Sequence, residues 1–368
     1  MNITTLQENL LRSLQFVGKT ISTKPQLPIL SNIYLKAENG RLTLASTNLE
    51  ITSVVHLDVK INQEGAITVP AKPFIEYITT LDPGALNLVL SENSLIVTTT
   101  TNEAHFVTIP ATEFPPLPTH ERKNELELGV SDFLPNLSFV ATAAGTDEAR
   151  PVLTGVYAVG NGKKIVLAAT DGFRLSVVEQ SIPSVFDEKL IIPARIFSDV
   201  FQTAKAENSK TVTMSLSKEQ NQIFFSFADK HVVTRLIEGE FPNYEKIIPK
   251  NNTTTVVFDH STLLGAVKTS LVFARASSNL IKVKCEKETV TISANAAQIG
   301  ENKTTLEARV EGEGGEIAFN SRFLIDFLSV FKEDRVVFEM SGSHAPGVFK
   351  SEKNPSLLHI IMPVRVQG

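Results

Sequence analysis

The sequence predicts an α+β chain of three repeated domains, each with two helices packed on antiparallel strands. Three observations predict it. The chain has 368 residues, room for two or three folded units at roughly 100 to 200 residues each. Short strings recur at a nearly constant shift of about a third of the chain, far longer than the period of a solenoid or propeller. Within each copy the apolar period alternates between that of a helix and that of a strand.

The repeat is legible in several places. Leu27 to Tyr34 (LPILSNIY) resembles Arg150 to Tyr157 (RPVLTGVY), and Pro28 and Pro151 lie 123 positions apart. The same shift of 123 relates Arg41 to Asn48 (RLTLASTN) to Lys164 to Asp171 (KIVLAATD), and Val69 to Lys72 (VPAK) to Ile192 to Arg195 (IPAR). A fainter third copy follows: Thr289 to Asn295 falls 124 after the matching strand of the second copy, and Phe319 to Arg322 (FNSR) falls 127 after IPAR. Glu113 to Pro115 and Glu240 to Pro242 close the first two copies. The seams are expected in the Pro-rich stretch from Phe114 to Lys123 and the polar stretch from Pro249 to Thr253, where turn-forming residues interrupt the periodic pattern. The resulting domains are residues 1–120, 121–250 and 251–368.

Within the first copy, Leu6, Leu10, Leu14, Val17 and Ile21 form one apolar stripe, predicting an amphipathic helix from Thr5 to Ile21 with Arg12 and Lys19 on the other side. Strands follow over 32–37, 41–46 and 51–57, then a second helix marked by Phe74, Ile75, Ile78 and Leu81. Three more strands, over 86–90, 94–98 and 104–109, complete the copy, with a tight turn at Glu92 and Asn93. The second copy opens with a helix from Ser131 to Ala144 and carries a hairpin turn from Lys218 to Gln222.

Composition narrows the function. With 35 Lys and Arg against 40 Asp and Glu, the net charge is −5 and the pI about 5.9, so bulk positive charge cannot hold this chain on nucleic acid. The single cysteine, Cys285, forms no internal disulfide, and the seven histidines show no metal-ligand spacing. No cofactor and no metal is expected. The N-terminal stretch carries Glu8 where a signal peptide needs apolar residues, and no run of about 18 apolar residues occurs; a cytoplasmic, reduced protein is expected.

No Walker A, dinucleotide fingerprint, nucleophile elbow or metalloprotease helix is present. The most enzyme-like string is Ala169 to Leu175 (ATDGFRL), where Asp171 and Arg174 follow a strand. A turn explains it better, since Asp-Gly suits a tight bend and Asn48 occupies the matching place in the first copy. An enzyme alternative would be a hydrolase using Asp171, Arg174 and His231, and a second alternative is a structural repeat protein without a DNA role. The acidic, glycine-rich Glu311 to Gly315 reads as a solvated loop, because Glu would repel a phosphate. The apolar tail Ile360 to Val366 divides between a final core strand and an exposed groove, with Pro363 favouring a strand end. Arg12, Lys19, Lys24, Lys72, Arg195, Lys205, Lys268, Arg275 and Arg322 lie on or beside the helices. Each one reads first as an ordinary solvated position, and together they suggest a face that could meet phosphates.

These residues carry a family resemblance. Three domain-length copies, LPIL at Leu27, ATDGFRL at Ala169, GEFPNY at Gly239 and MPVR at Met362 together resemble the bacterial DNA polymerase III beta subunit family over the whole chain. The resemblance implies clamp-type domains assembling as a homodimeric ring around duplex DNA, helices lining the hole, and no catalysis. It implies a groove for short peptides of the replicative polymerase, repair polymerases and the clamp loader. By position that groove falls on Leu153, Thr170, Gly172, Phe173, Arg174, Leu175, Pro242, Lys246, Ile247, Asn320, Phe323, Ile360, Ile361, Met362, Pro363, Val364, Arg365 and Val366. Phe173, Lys246 and Phe323 stand where His, Arg and Tyr are common in the family. DNA contact falls on Lys24, Arg12 and Lys72, and the subunit interface on Val272 and Phe273.

Overall fold

In a computed structural model of the chain, residues 1–22, 25–119, 125–217 and 219–365 are described. The expectations placed on Lys24 and Val366, on Lys123 at the first seam and on Lys218 in the hairpin turn lie outside them. Each copy supplies two helices: α1 (Gln7–Gly18) and α2 (Ala71–Thr80), α3 (Val130–Ala141) and α4 (Ala194–Ala206), α5 (His260–Ala274) and α6 (Ser321–Val330). Among the described residues the strands pair antiparallel and fall into four sheets. The class is α+β, as the alternating periods predict.

The chain divides into two compact units, residues 1–128 with 203–235 and residues 129–202 with 236–368. The middle copy therefore contributes strands to both. In the first unit, a five-stranded sheet runs in the order Lys60–Gln63, Asn2–Leu6, Ala85–Ser91, Ser94–Thr98, Glu103–Val107. A nine-stranded sheet is continuous across the repeat, because Ile51–Asp58 of the first copy pairs with Lys230–Arg235 of the second, Val55 opposite Lys230 and Ile51 opposite Thr234. Helix α1 packs on α2 and on the strands Arg41–Thr47 and Ile51–Asp58. Leu10, Leu14 and Val17 are fully buried there, each stabilising the unit by about 1.5–3 kcal/mol.

The first helix is shorter than its apolar stripe predicts. Asn2–Leu6 is a strand, with Ile3 opposite Leu88 and Thr5 opposite Leu86. Ile3 and Thr5 point inward while Asn2 and Thr4 are half-exposed, the period of a strand, and the β-branched run from Ile3 to Thr5 suits a pleated surface better than a helix turn. Leu6, counted in the stripe, caps the helix in extended geometry and is 50% exposed. Helix α3 starts one residue earlier than expected and ends at Ala141, after which Ala143 and Ala144 donate back three residues, to Val140 and Ala141, in tighter turns.

The second unit repeats the construction. A nine-stranded sheet joins Arg174–Ser181 of the middle copy to Leu358–Ile361 of the third, and a four-stranded sheet runs Gly300–Glu307, Thr289–Ala296, Leu280–Glu286, Gly315–Asn320. Its core is rich in aromatic rings: Phe319, Phe327, Phe331, Phe338 and Phe349 are all buried, with centroids 4.9 to 6.0 Å apart in the contacting pairs. The acidic stretch Glu311 to Gly315 is less of a loop than expected: Glu311 and Gly312 end one strand, opposite Thr255 and Thr254, Gly315 opens the next, and only Glu313 and Gly314 connect them, with Gly312, Gly314 and Gly315 at positive φ.

Candidate functional site

The turn between Lys164–Thr170 and Arg174–Ser181 presents the first half of the site. Asp171 Oδ1 accepts the backbone N–H of Phe173 at 2.9 Å and of Arg174 at 3.0 Å, an Asx turn. Thr170 Oγ1 donates to the Arg174 carbonyl at 2.6 Å and accepts the Gly172 N–H at 3.1 Å. Gly172 takes φ +93°, a left-handed bend that glycine adopts without strain. So bent, the turn holds Phe173 outward, 59% exposed.

The C-terminal strand brings the second half alongside. Ile361 lies opposite Arg174 and Ile360 opposite Leu175. The ladder then continues past the strand end: Met362 N–H donates to the Phe173 carbonyl at 2.8 Å, and Val364 N–H donates to the Ala318 carbonyl at 2.8 Å. Ala318 belongs to Gly315–Asn320, so the tail straps the turn to the four-stranded sheet. Met362 and Val364 stay 37% and 40% exposed above buried Ile360 and Ile361. Pro363, which has no N–H to donate, sits between the two bonded residues, where none is needed.

Helix α6 closes the third side. The Phe323 ring lies 6.5 Å from that of Phe173 with planes 21° apart. The Arg174 guanidinium sits 4.6 Å over the Phe323 face, close enough for cation–π attraction. Its Nε donates to Asp171 Oδ2 at 3.0 Å and its Nη1 to Asp326 Oδ2 at 2.7 Å. Below this surface Leu175 and Ile360 form a buried cluster with Val348, lined by Val177, Tyr244, Ile248 and Leu358. Tyr244 also packs on the cluster of Ala168, Ile191 and Phe241, and burial pushes its phenol above the usual range.

The structure thus brings together Thr170, Gly172, Phe173, Arg174, Leu175, Phe323, Ile360, Ile361, Met362, Pro363 and Val364. The others it employs differently. Asn320 Oδ1 accepts the Arg322 N–H and caps α6, and the Leu153 carbonyl accepts the Gly145 N–H at 2.7 Å. Pro242, Lys246 and Ile247 are exposed around the short turn Tyr244–Lys246, and Arg365 is exposed. Three participants do not stand out in the sequence: Tyr244, which ends the GEFPNY string, Ala318 and Asp326. Asp326 stands three residues after Phe323, the spacing that places two side chains on one helix face.

The arrangement has no catalytic geometry. Both Asp171 oxygens are engaged by the turn and by Arg174, and His231 lies in the other unit, its Nδ1 2.9 Å from Ser226 Oγ. Cys285 is buried, which pushes its thiol up to about 11. Among the described residues no group of three or more His, Cys, Asp or Glu could hold a metal ion, and no described helix is long and apolar enough to cross a membrane. Arg12 and Lys72 are exposed on α1 and α2. On α5, Val272 is 63% exposed and Phe273 half-buried.

Comparison with known proteins decides what this groove belongs to. Models of the DNA polymerase III beta subunit match along the chain in order: its N-terminal domain over 1–118, its central domain over 129–243 and its C-terminal domain over 245–365. The chain belongs to the DNA polymerase III beta subunit family. Among its relatives, the beta sliding clamp of Synechocystis sp. is 29% identical over 392 residues, with all of both chains covered. That of Staphylococcus aureus is 26% identical over 377 residues, with 99% of each covered. The solved sliding clamp of Bacillus subtilis superposes with a TM-score of 0.93 at 23% identity, and a clamp of Bartonella birtlesii bound to griselimycin with 0.93 at 28%; both cover each chain fully. The beta subunit is a non-catalytic part of its polymerase, and the hydrolase alternative falls with that assignment.

Proposed function

We propose that this beta-subunit family member is a replicative sliding clamp: two copies close head to tail into a ring around duplex DNA, and the groove tethers the replicative polymerase. The observation that carries the groove reading is the strapped tail. Met362 and Val364 commit their backbone N–H groups to Phe173 and Ala318, yet stay 37% and 40% exposed, next to a turn whose Phe173 ring faces that of Phe323. That is a preformed apolar floor suited to anchor residues of a short extended peptide. Leu153, Pro242, Lys246, Ile247, Asn320 and Arg365 complete its rim in this reading, and clamp-loader and repair-polymerase peptides share it.

Edge strands support the ring. Among the described residues, Glu103–Val107 in the first unit and Gly300–Glu307 in the second each pair on one side only. An unpaired edge is a template for another chain, and an interface joining two different surfaces closes into a ring when its rotation permits. Val272 and Phe273 are assigned to that junction. Arg12 and Lys72 meet phosphates in passing; with a net charge of −5, retention comes from threading, because each strong phosphate contact would impede sliding.

Loading onto nicked circular DNA tests the ring: bound protein should be released when the circle is cut, and retention on the linear product overturns it. A fluorescent peptide with a Gln-Leu-hydrophobic-Leu-Phe core tests the groove. Met362→Ala with Pro363→Ala should weaken its binding, and undiminished binding rules out this surface.

A further inference from the structure

The groove's aromatic side is held by a residue outside its lining. Arg174 reaches from its strand to α6 and is 11% exposed. Asp326 Oδ2 takes its Nη1 at 2.7 Å while its Cζ lies 4.6 Å over Phe323. Phe323 and Asp326 are one turn apart on α6, so helix and guanidinium grip each other at two points. Across the guanidinium, Asp171 holds Nε with one oxygen and the Phe173 N–H with the other, and the Phe173 carbonyl in turn holds Met362. Asp326, Arg174, Asp171, Phe173 and Met362 are therefore linked bond by bond, and the chain of contacts joins all three segments of the groove.

We infer that Asp326 is a positioning residue of the peptide groove, setting the separation of the Phe323 and Phe173 rings through Arg174; this rests on the groove reading above. The 6.5 Å between near-parallel rings is too narrow to admit a further ring, given about 3.5–4.0 Å for each carbon contact. A partner side chain therefore packs against the pair of rings and not between them, and its fit depends on their spacing. A carboxylate suits this role, because it accepts from the fixed guanidinium fork with a charge-assisted bond. Asp326 is 46% exposed on the side-chain scale, and Arg174, 11% exposed, keeps Asp171 as a charge partner when Asp326 is replaced.

The experiment is a double-mutant cycle on the full chain, reading affinity for the fluorescent peptide and the thermal midpoint of each variant. Asp326→Ala should weaken the peptide roughly five- to tenfold, the size of one ordinary hydrogen bond, since Asp326 is partly exposed and acts indirectly, with little change in midpoint. In a Phe323→Leu background the same substitution should weaken it less than twofold, because residues acting through one another are non-additive. Asp326→Asn, which keeps an acceptor oxygen, should fall between. Equal losses in both backgrounds, or full affinity in Asp326→Ala while Met362→Ala with Pro363→Ala abolishes binding, overturns the positioning role and leaves the groove standing. Full affinity in the Met362 and Pro363 double variant removes both.

Discussion

The imidazole of His359 lies flat on the ring of Phe327, centroids 4.6 Å apart and planes 7° from parallel, with His359 wholly buried. Ser176 Oγ sits 2.7 Å from its Nδ1, while Nε2 has no hydrogen-bond partner among the described residues. Burial, and next to it the Arg174 cation, push its pKa down to about 3. The residue immediately precedes Ile360 and Ile361, the strand residues that lie opposite Leu175 and Arg174.

A group neutral when folded and charged when unfolded ties stability to pH. The unfolded imidazole titrates near 6.5, so the folded chain keeps the full contribution above that value and loses it as pH falls toward 3. The slope for this one group is about 1.4 kcal/mol per pH unit. Urea unfolding at pH 7.5 and pH 5 should show wild type losing more stability on acidification than His359→Phe combined with Ser176→Ala, which removes both polar partners. Equal losses would show that other groups govern the acid limb.

Gly172 offers a test of the turn itself. Its φ of +93° is open to glycine and strained for any other residue, although an added Cβ would meet only the Arg150 guanidinium, 3.7 Å away. Strain at a left-handed position costs about 1–2 kcal/mol. Gly172→Ala should therefore weaken the fluorescent peptide about tenfold by displacing Phe173, with the global unfolding midpoint lowered only slightly. Unchanged affinity would show that the Phe173 carbonyl and ring tolerate a relaxed turn.

Val272 provides the corresponding test of assembly. It is 63% exposed on α5, so Val272→Glu costs the isolated chain little. In a closed ring it buries an unpaired carboxylate, a penalty of several kcal/mol. Sedimentation should show a dimer for wild type and a monomer for the variant at micromolar concentration, with circular dichroism unaltered. A variant that remains dimeric moves the interface elsewhere.

Lys230 probes the first unit. Its side chain is 6% exposed, with Asp229 at 3.1 Å and Glu207 at 3.4 Å, and its Nζ lies 5.8 Å from the Phe16 ring centroid. Both carboxylates keep access to water, so Lys230→Met should lower stability by no more than about 1.5 kcal/mol, within the range of volume-conserving swaps. Lys230→Glu sets three like charges together in a confined space and should lower it by about 3–5 kcal/mol. Denaturant midpoints measured in parallel discriminate the two.

Much of this was legible because the repeat is long and its copies keep their turn residues. The LPIL and RPVL strings precede the first long strand of their copies, the Thr-Asn and Thr-Asp pairs lie at matching turns, and the helices expected around Leu10, Phe74 and Leu137 are present, the first and third with shifted ends. Leu6 misled because its spacing from Leu10 is that of a helix, whereas the pairing of Thr5 with Leu86 depends on a strand 80 residues away. Asp326 was invisible for the same reason. Its meaning comes from Arg174, 152 positions earlier in the chain, and an isolated acid on a helix face reads as solvated until the facing element is known. The tail was half legible: Pro363 marked the strand end, but the bond from Val364 to Ala318 follows from a sheet that no local pattern announces.

Because Lys230–Arg235 completes a sheet begun by one neighbour and Arg174–Ser181 one finished by the other, the three repeats have ceased to be interchangeable modules. A chimera replacing the middle third with a relative's would have to match two hydrogen-bonding registers at once, Val55 against Lys230 and Arg174 against Ile361. Grafts cut at the repeat borders should therefore misfold more often than grafts cut within a sheet's outer connections. The natural unit of exchange in this chain is a pair of adjoining half-repeats.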